Sequence, residues 1–148
     1  VVEDISGRWD PVSAALVAAL VTLVYEVDDA LVARLRRVGG RTAPLEFALT
    51  RAACWGTPAE GIYLAVDDAS GTIGALRRSL QIEDPPGLPY TPHVTLVHPR
   101  TATPEQAAAA WNALSGLRVD RPVTIPDVAV TRRTLRGWEV AERIRLTG

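Results

Sequence analysis

Tyr90-Thr91-Pro92-His93-Val94-Thr95-Leu96-Val97-His98-Pro99 is the stretch from which the fold can be read. It is apolar, rich in β-branched residues, free of interior glycine, and has a proline near each end. Those features predict a short buried strand, entered from an extended X-Pro dipeptide and closed where the second proline removes a ladder donor. Alternation along a strand sends His93, Thr95 and Val97 to one face, and Val94, Leu96 and His98 to the other. One face then carries an imidazole and a hydroxyl one pleat apart, a proton-transfer group beside a group able to hold phosphate oxygen. On this alternation His98 joins them only if the strand contains a bulge.

A lone His-x-Thr is a weak signal, because any Val-rich strand can contain one. A second copy strengthens it. Leu20-Val21-Thr22-Leu23-Val24-Tyr25 shares the interior Val-Thr-Leu-Val with His93–His98 and stands about half a chain earlier. That separation points to a duplicated unit. In the first copy Leu20 stands where the second has His93.

The order of elements repeats as well. Residues Val1 to Asp10 read as a loosely held lead-in, after which Asp10-Pro11 caps a short helix to about Ala18. The first motif strand spans about Leu20 to Val27, and Asp28-Asp29 opens a helix to Val38 that Gly39-Gly40 stops. Pro44–Cys54 and Gly61–Val66 read as strands joined by the Gly56-Thr57-Pro58 turn. A helix over about residues 69–80 and the proline-dense run Asp84 to Pro89 connect the halves. The His93 strand then precedes a helix from Thr103-Pro104 to Leu114, and strands over Val123–Thr131 and Trp138–Leu146. Strand-helix-strand-strand thus occurs twice. The expectation is one α+β domain over 1–148, with pseudo-symmetric lobes at about 20–66 and 92–146 around a central cleft.

Composition narrows the function classes. The chain has 148 residues and a formal net charge of −1, so nothing draws it to polyanions globally and any nucleic-acid contact must be local. Every basic residue is arginine, whose planar fork suits phosphate. The single Cys54 excludes an internal disulfide and fits a reducing, cytoplasmic setting. No Cys, His and acidic residues fall at metal-ligand spacing, so neither metal nor cofactor is expected. The apolar run Val12 to Val27 divides better into helix plus strand than into a membrane span.

With both motifs in view, the chain resembles the two-histidine (2H) phosphoesterase superfamily, which includes 2′-5′ RNA ligase-like proteins and cyclic nucleotide phosphodiesterases. The second motif, His93-Val94-Thr95, is intact within Tyr-x-Pro-His-Val-Thr-Leu. The first keeps Thr22 and lacks its histidine. The resemblance implies a bilobed fold with both motifs at the cleft floor, acting without metal or cofactor on 2′,3′-cyclic phosphates or related phosphodiesters. It implies His93 as acid or base, Thr95 and Thr22 as phosphate-holding hydroxyls, and Leu20 as a degenerate catalytic position. Two imidazoles would share the proton traffic, one taking a proton and the other donating one. Leu20 can do neither job.

Around this centre, Trp9, Tyr63, Tyr90 and Trp138 are candidates for stacking on a base. Arg100, Arg132, Arg133 and Arg136 are candidates for a phosphate-binding rim. Packing and solvated loops account for the same residues. The expected partner is a small nucleotide or an RNA end bound by a monomer, with no membrane. Three readings stand together: a phosphodiesterase weakened at Leu20, a non-catalytic module that binds phosphorylated ligands, and a domain that keeps only its core for protein contacts.

Overall fold

The computed structural model describes every residue except Val1, Val17, Pro58 and Arg136. Helices α1 (Val2–Trp9), α2 (Pro11–Leu16) and α3 (Asp29–Gly39) precede strands β1 (Leu45–Trp55) and β2 (Gly61–Asp67). Helix α4 (Thr72–Ser79), strand β3 (His93–Val97), helix α5 (Pro104–Leu114) and strands β4 (Arg118–Ile125), β5 (Asp127–Thr134) and β6 (Gly137–Arg145) follow. The class is α+β. One antiparallel sheet has the order β3-β2-β1-β4, and β5-β6 form a separate ribbon. Among the described residues no helix is long and apolar enough to cross a membrane.

Helix starts follow their caps. The Asp28 carboxylate accepts from the Leu31 N–H at 2.7 Å and opens α3. At α5 a reciprocal capping box joins Thr103 and Gln106, with Pro104 in the first turn. Helix α4 begins at Thr72, three residues later than its sequence pattern suggests. The Asp68 carboxylate accepts from Ile73 and Gly74, and that leaves residues 69–71 in a turn closed by Gly71 at φ +70°.

Three expectations are corrected. The lead-in is a helix, because Val2, Ile5 and Trp9 share one face and pack on the core while Glu3 and Asp4 suit its first turn. The single strand expected over Val123–Thr131 is two, β4 and β5, broken at Pro126, which has no N–H to donate. The Leu20–Val27 stretch is not a regular strand. It meets β3 through one antiparallel bridge, Val21 to Val94. Val21 packs into one apolar cluster and Leu23 into another, so the segment bends between them and cannot run on as a ladder.

The sequence halves are also not the spatial halves. β1 and β2, from the first half of the chain, form one sheet with β3 and β4 from the second. The first cluster lies against this sheet: Ala52, Ile62, Leu64, Val94, Leu96 and Val97 meet Ala110 and Leu114 of α5 and the apolar face of α1. The second joins Leu35 of α3, Ile73 and Leu76 of α4, Leu80, Leu45, and Ile144 of β6 with Leu146. Each such aliphatic side chain contributes about 1.5–3 kcal/mol by leaving water. The β5-β6 ribbon therefore covers α3 and α4, an arrangement that hydrophobic matching decides and the order along the chain does not reveal.

Candidate functional site

The Val21–Val94 bridge joins the middle residues of the two motifs. Both valines face the first cluster. Their neighbours therefore turn the other way, and continuing the antiparallel register sets Leu20 across from Thr95 and Thr22 across from His93. All four motif positions share one face. Leu20 is 39% exposed, so its side chain is not packed away in the core. Among the described residues the Thr22 and Thr95 hydroxyls have no hydrogen-bond partner, which leaves both available to a ligand.

His93 is half-buried and held by its own loop. Its Nδ1 lies 2.7 Å from the Thr91 carbonyl oxygen. A carbonyl only accepts, so in the neutral ring Nδ1 carries the proton and Nε2 keeps its lone pair. That is the tautomer a general base needs at Nε2. In His98 the situation reverses, since its Nδ1 accepts from the Arg100 N–H at 3.1 Å. The alternation predicted for β3 holds only as far as Leu96. There β3 gains a residue against β2, with Tyr63 opposite Thr95 but Ile62 opposite Val97, and Val97 turns into the core with no exposure. The pleat argument for His98 ends at that bulge.

Beside His93 stands an aromatic wall. The Trp55 and Tyr63 rings lie 4.1 Å apart between centroids, and the His93 ring meets them edge-on at 4.7 and 5.4 Å respectively. Tyr63 was legible as a stacking candidate, whereas Trp55 was not. The available clue was its place at the end of β1 opposite Gly61. A Cβ at Gly61 would fall 3.2 Å from the Trp55 ring and 2.9 Å from Pro99, so only glycine lets the indole approach β2.

The first motif is positioned by side chains in place of a ladder. The Tyr90 hydroxyl donates to the Thr22 carbonyl at 2.9 Å, and Arg77 Nε donates to the Leu23 carbonyl at 3.2 Å. The Arg77 guanidinium lies 3.7 Å over the Tyr90 ring and pairs with Asp84 at 2.8 Å. Burial pushes the Tyr90 phenol up to about 12. The Tyr90 N–H, and then Arg77, hold the Asp84 carboxyl below its ordinary value. Tyr90 thus has its hydroxyl engaged and one ring face covered.

The remaining candidates lie elsewhere. Trp9 packs on the core with Arg8 over its ring at 5.2 Å. Arg132 pairs with Glu139 across the β5-β6 ribbon, Arg133 stands opposite Trp138, and Trp138 is about half exposed. Arg100 is exposed in the turn after β3, and Arg136 lies outside the described residues. Cys54 is half-buried and free. Asp10 was read only as a cap. It is 2% exposed, and its carboxylate accepts from the Ser13 N–H, the His98 N–H and the Thr101 hydroxyl, which ties the α1-α2 corner to the end of β3. Among the described residues no cluster of His, Cys, Asp and Glu could hold a metal ion.

Comparison with known proteins bears on the family and the fold. A family model described as the 2′-5′ RNA ligase superfamily matches residues 7–137. No curated protein matches. The crystal structure of TT0787 of Thermus thermophilus superimposes with a TM-score of 0.64 at 17% identity, over 99% of this chain and 90% of that one. At that identity the likeness is one of fold.

Proposed function

Since the chain belongs to the 2′-5′ RNA ligase superfamily of 2H phosphoesterases, we propose that its cleft binds the 2′,3′-cyclic phosphate or 2′-phosphate of a nucleotide or RNA end. Catalysis is slow because one of the two proton-transfer positions is Leu20. The observation that carries this reading is the shared face of Leu20, Thr22, His93 and Thr95 about the Val21–Val94 bridge. Thr22 and Thr95 would hold the non-bridging oxygens and meet the charge that grows on them. His93, with Nδ1 engaged by Thr91, would take or give a proton at Nε2. Leu20, at the position for the opposite proton transfer, has no group to perform it.

Trp55 and Tyr63 extend the reading to the base, since a ring pair beside the phosphate site is a natural stacking surface. The exposure of Leu20 favours a ligand-binding cleft over a domain retained only for protein contacts. The test is an NMR titration with adenosine 2′-monophosphate. His93 ring and Thr95 amide resonances should move, more weakly at high salt because part of the attraction is charge. Equal titration of a folded Thr22→Val, Thr95→Val variant would place binding elsewhere.

A further inference from the structure

One crosswise row of the sheet carries more than the phosphate site requires. His93 on β3 stands opposite Ala65 on β2. On β1 the register slips between Leu49 and Ala52, which leaves Thr50 and Arg51 against that same Ala65. Arg51 in turn stands opposite Arg118 on β4. The row therefore reads His93, Ala65, Arg51, Arg118 across four strands. Ala52 faces the core at 5% exposure, so Arg51 beside it turns to the face of His93, and Arg118 opposite turns with it.

Two arginines directly opposite on neighbouring strands repel, and sheets ordinarily avoid that pairing. Here the repulsion is uncompensated, because neither arginine forms an ion pair or hydrogen bond among the described residues. Both are exposed. The β1-β4 register also breaks at this pair, and Asp120 two residues on takes φ +46°. Bulges of this kind re-aim side chains beside binding sites. An uncompensated guanidinium pair has a natural complement in a phosphodiester oxygen pair, which accepts forked donors from both.

At about 4.8 Å per strand, the middle of the arginine pair lies ~12 Å along the sheet from β3, too far to share one phosphate with Thr95. The floor between is small, being Ala65 and Ala53, and the Trp55-Tyr63 wall stands beside it. We propose that Arg51 and Arg118 form a second phosphate subsite, so that the ligand of this cleft is an oligoribonucleotide end and not a mononucleotide. The terminal phosphate would lie at His93 and Thr95, a base on the aromatic wall, and an upstream phosphodiester between the arginines. This rests on the phosphate-binding reading of the cleft and specifies its substrate class.

Calorimetry tests it with two probes, adenosine 2′-monophosphate and a pentaadenylate ending in a 2′-phosphate, at several salt concentrations. The wild type should bind the pentanucleotide about tenfold tighter or better. In Arg51→Gln, Arg118→Gln that advantage should vanish while mononucleotide affinity is unchanged. The salt slope for the pentanucleotide should fall by about 0.7 for each phosphate that the arginines no longer neutralise. The double variant should melt at the same temperature as the wild type or higher, since it removes a like-charge pair. An advantage that survives in the double variant, or no advantage in the wild type, overturns the second subsite alone. Failure of both probes to bind the wild type overturns the cleft reading and this one with it.

Discussion

Val21 and Val94, the middle residues of two three-residue motifs, pair across a single antiparallel bridge. A local two-fold axis therefore passes between them and exchanges Leu20 with His93 and Thr22 with Thr95. It relates the motifs without relating the sheets, since β1 and β2 lie on one side only.

The axis makes Leu20 a repair site. Leu20 is partly exposed on the cleft face, so a similar-sized imidazole enters with little steric cost. Leu20→His should raise hydrolysis of a 2′,3′-cyclic nucleotide by about 10²-fold or more, the general acid–base increment. Adding His93→Ala should abolish the gain. A folded Leu20→His that binds the nucleotide yet turns over no faster would refute the two-imidazole account.

The aromatic wall predicts a split between ligands. Trp55→Ala should weaken adenosine 2′-monophosphate by roughly tenfold, a typical base-stacking loss. Affinity for inorganic phosphate should be unaffected. Calorimetry on both ligands reads the difference, and a parallel loss for both would mean that Trp55 merely supports His93.

Tyr90→Phe removes the donor to the Thr22 carbonyl and should cost about 1 kcal/mol in chemical denaturation. The pH dependence has a definite sign. Burial raises the folded phenol to about 12, above an unfolded value near ~10. The stabilisation from the neutral phenol is thus complete below about pH 10 and lost as pH rises towards 12. The gap between wild type and Tyr90→Phe should close over that window, and a constant gap would contradict it.

Asp10→Ala should destabilise by about 3 kcal/mol, because it removes a helix cap and strands the His98 N–H, while the Thr101 hydroxyl falls back on the His98 carbonyl. Asp10→Asn should lose less, since one acceptor oxygen remains. Denaturant midpoints separate the two, and equal losses would mean that charge, not hydrogen bonding, carries the effect.

Local chemistry made much of this fold legible in the sequence. Asp28, Thr103 and Pro104 mark their helices, and the Pro44 to Val66 pattern yields the β1-β2 hairpin. The motif repeat singled out His93, Thr95, Thr22 and Leu20, and the structure brings the two motifs together at the Val21–Val94 bridge. Pairing at long range was not legible. Nothing local tells β1 and β2 to join β3, because that choice follows from which apolar faces match in three dimensions. Trp55 was hidden for a related reason: it lies on β1 and becomes a neighbour of His93 only once the β1-β2 hairpin has paired with β3. Arg51 and Arg118 became a pair only through a register break that no residue pattern announces.

The side-chain hydrogen bonds that reach the first motif end on the Thr22 and Leu23 carbonyls. Every amino acid offers that same oxygen. The grip of Tyr90 and Arg77 is therefore indifferent to which side chain stands at position 20, while Val21 and Leu23 anchor the segment in the two apolar clusters. A catalytic residue housed in such a segment can be exchanged without an architectural penalty, which makes this wall of the cleft the part of the molecule most open to a change of chemistry.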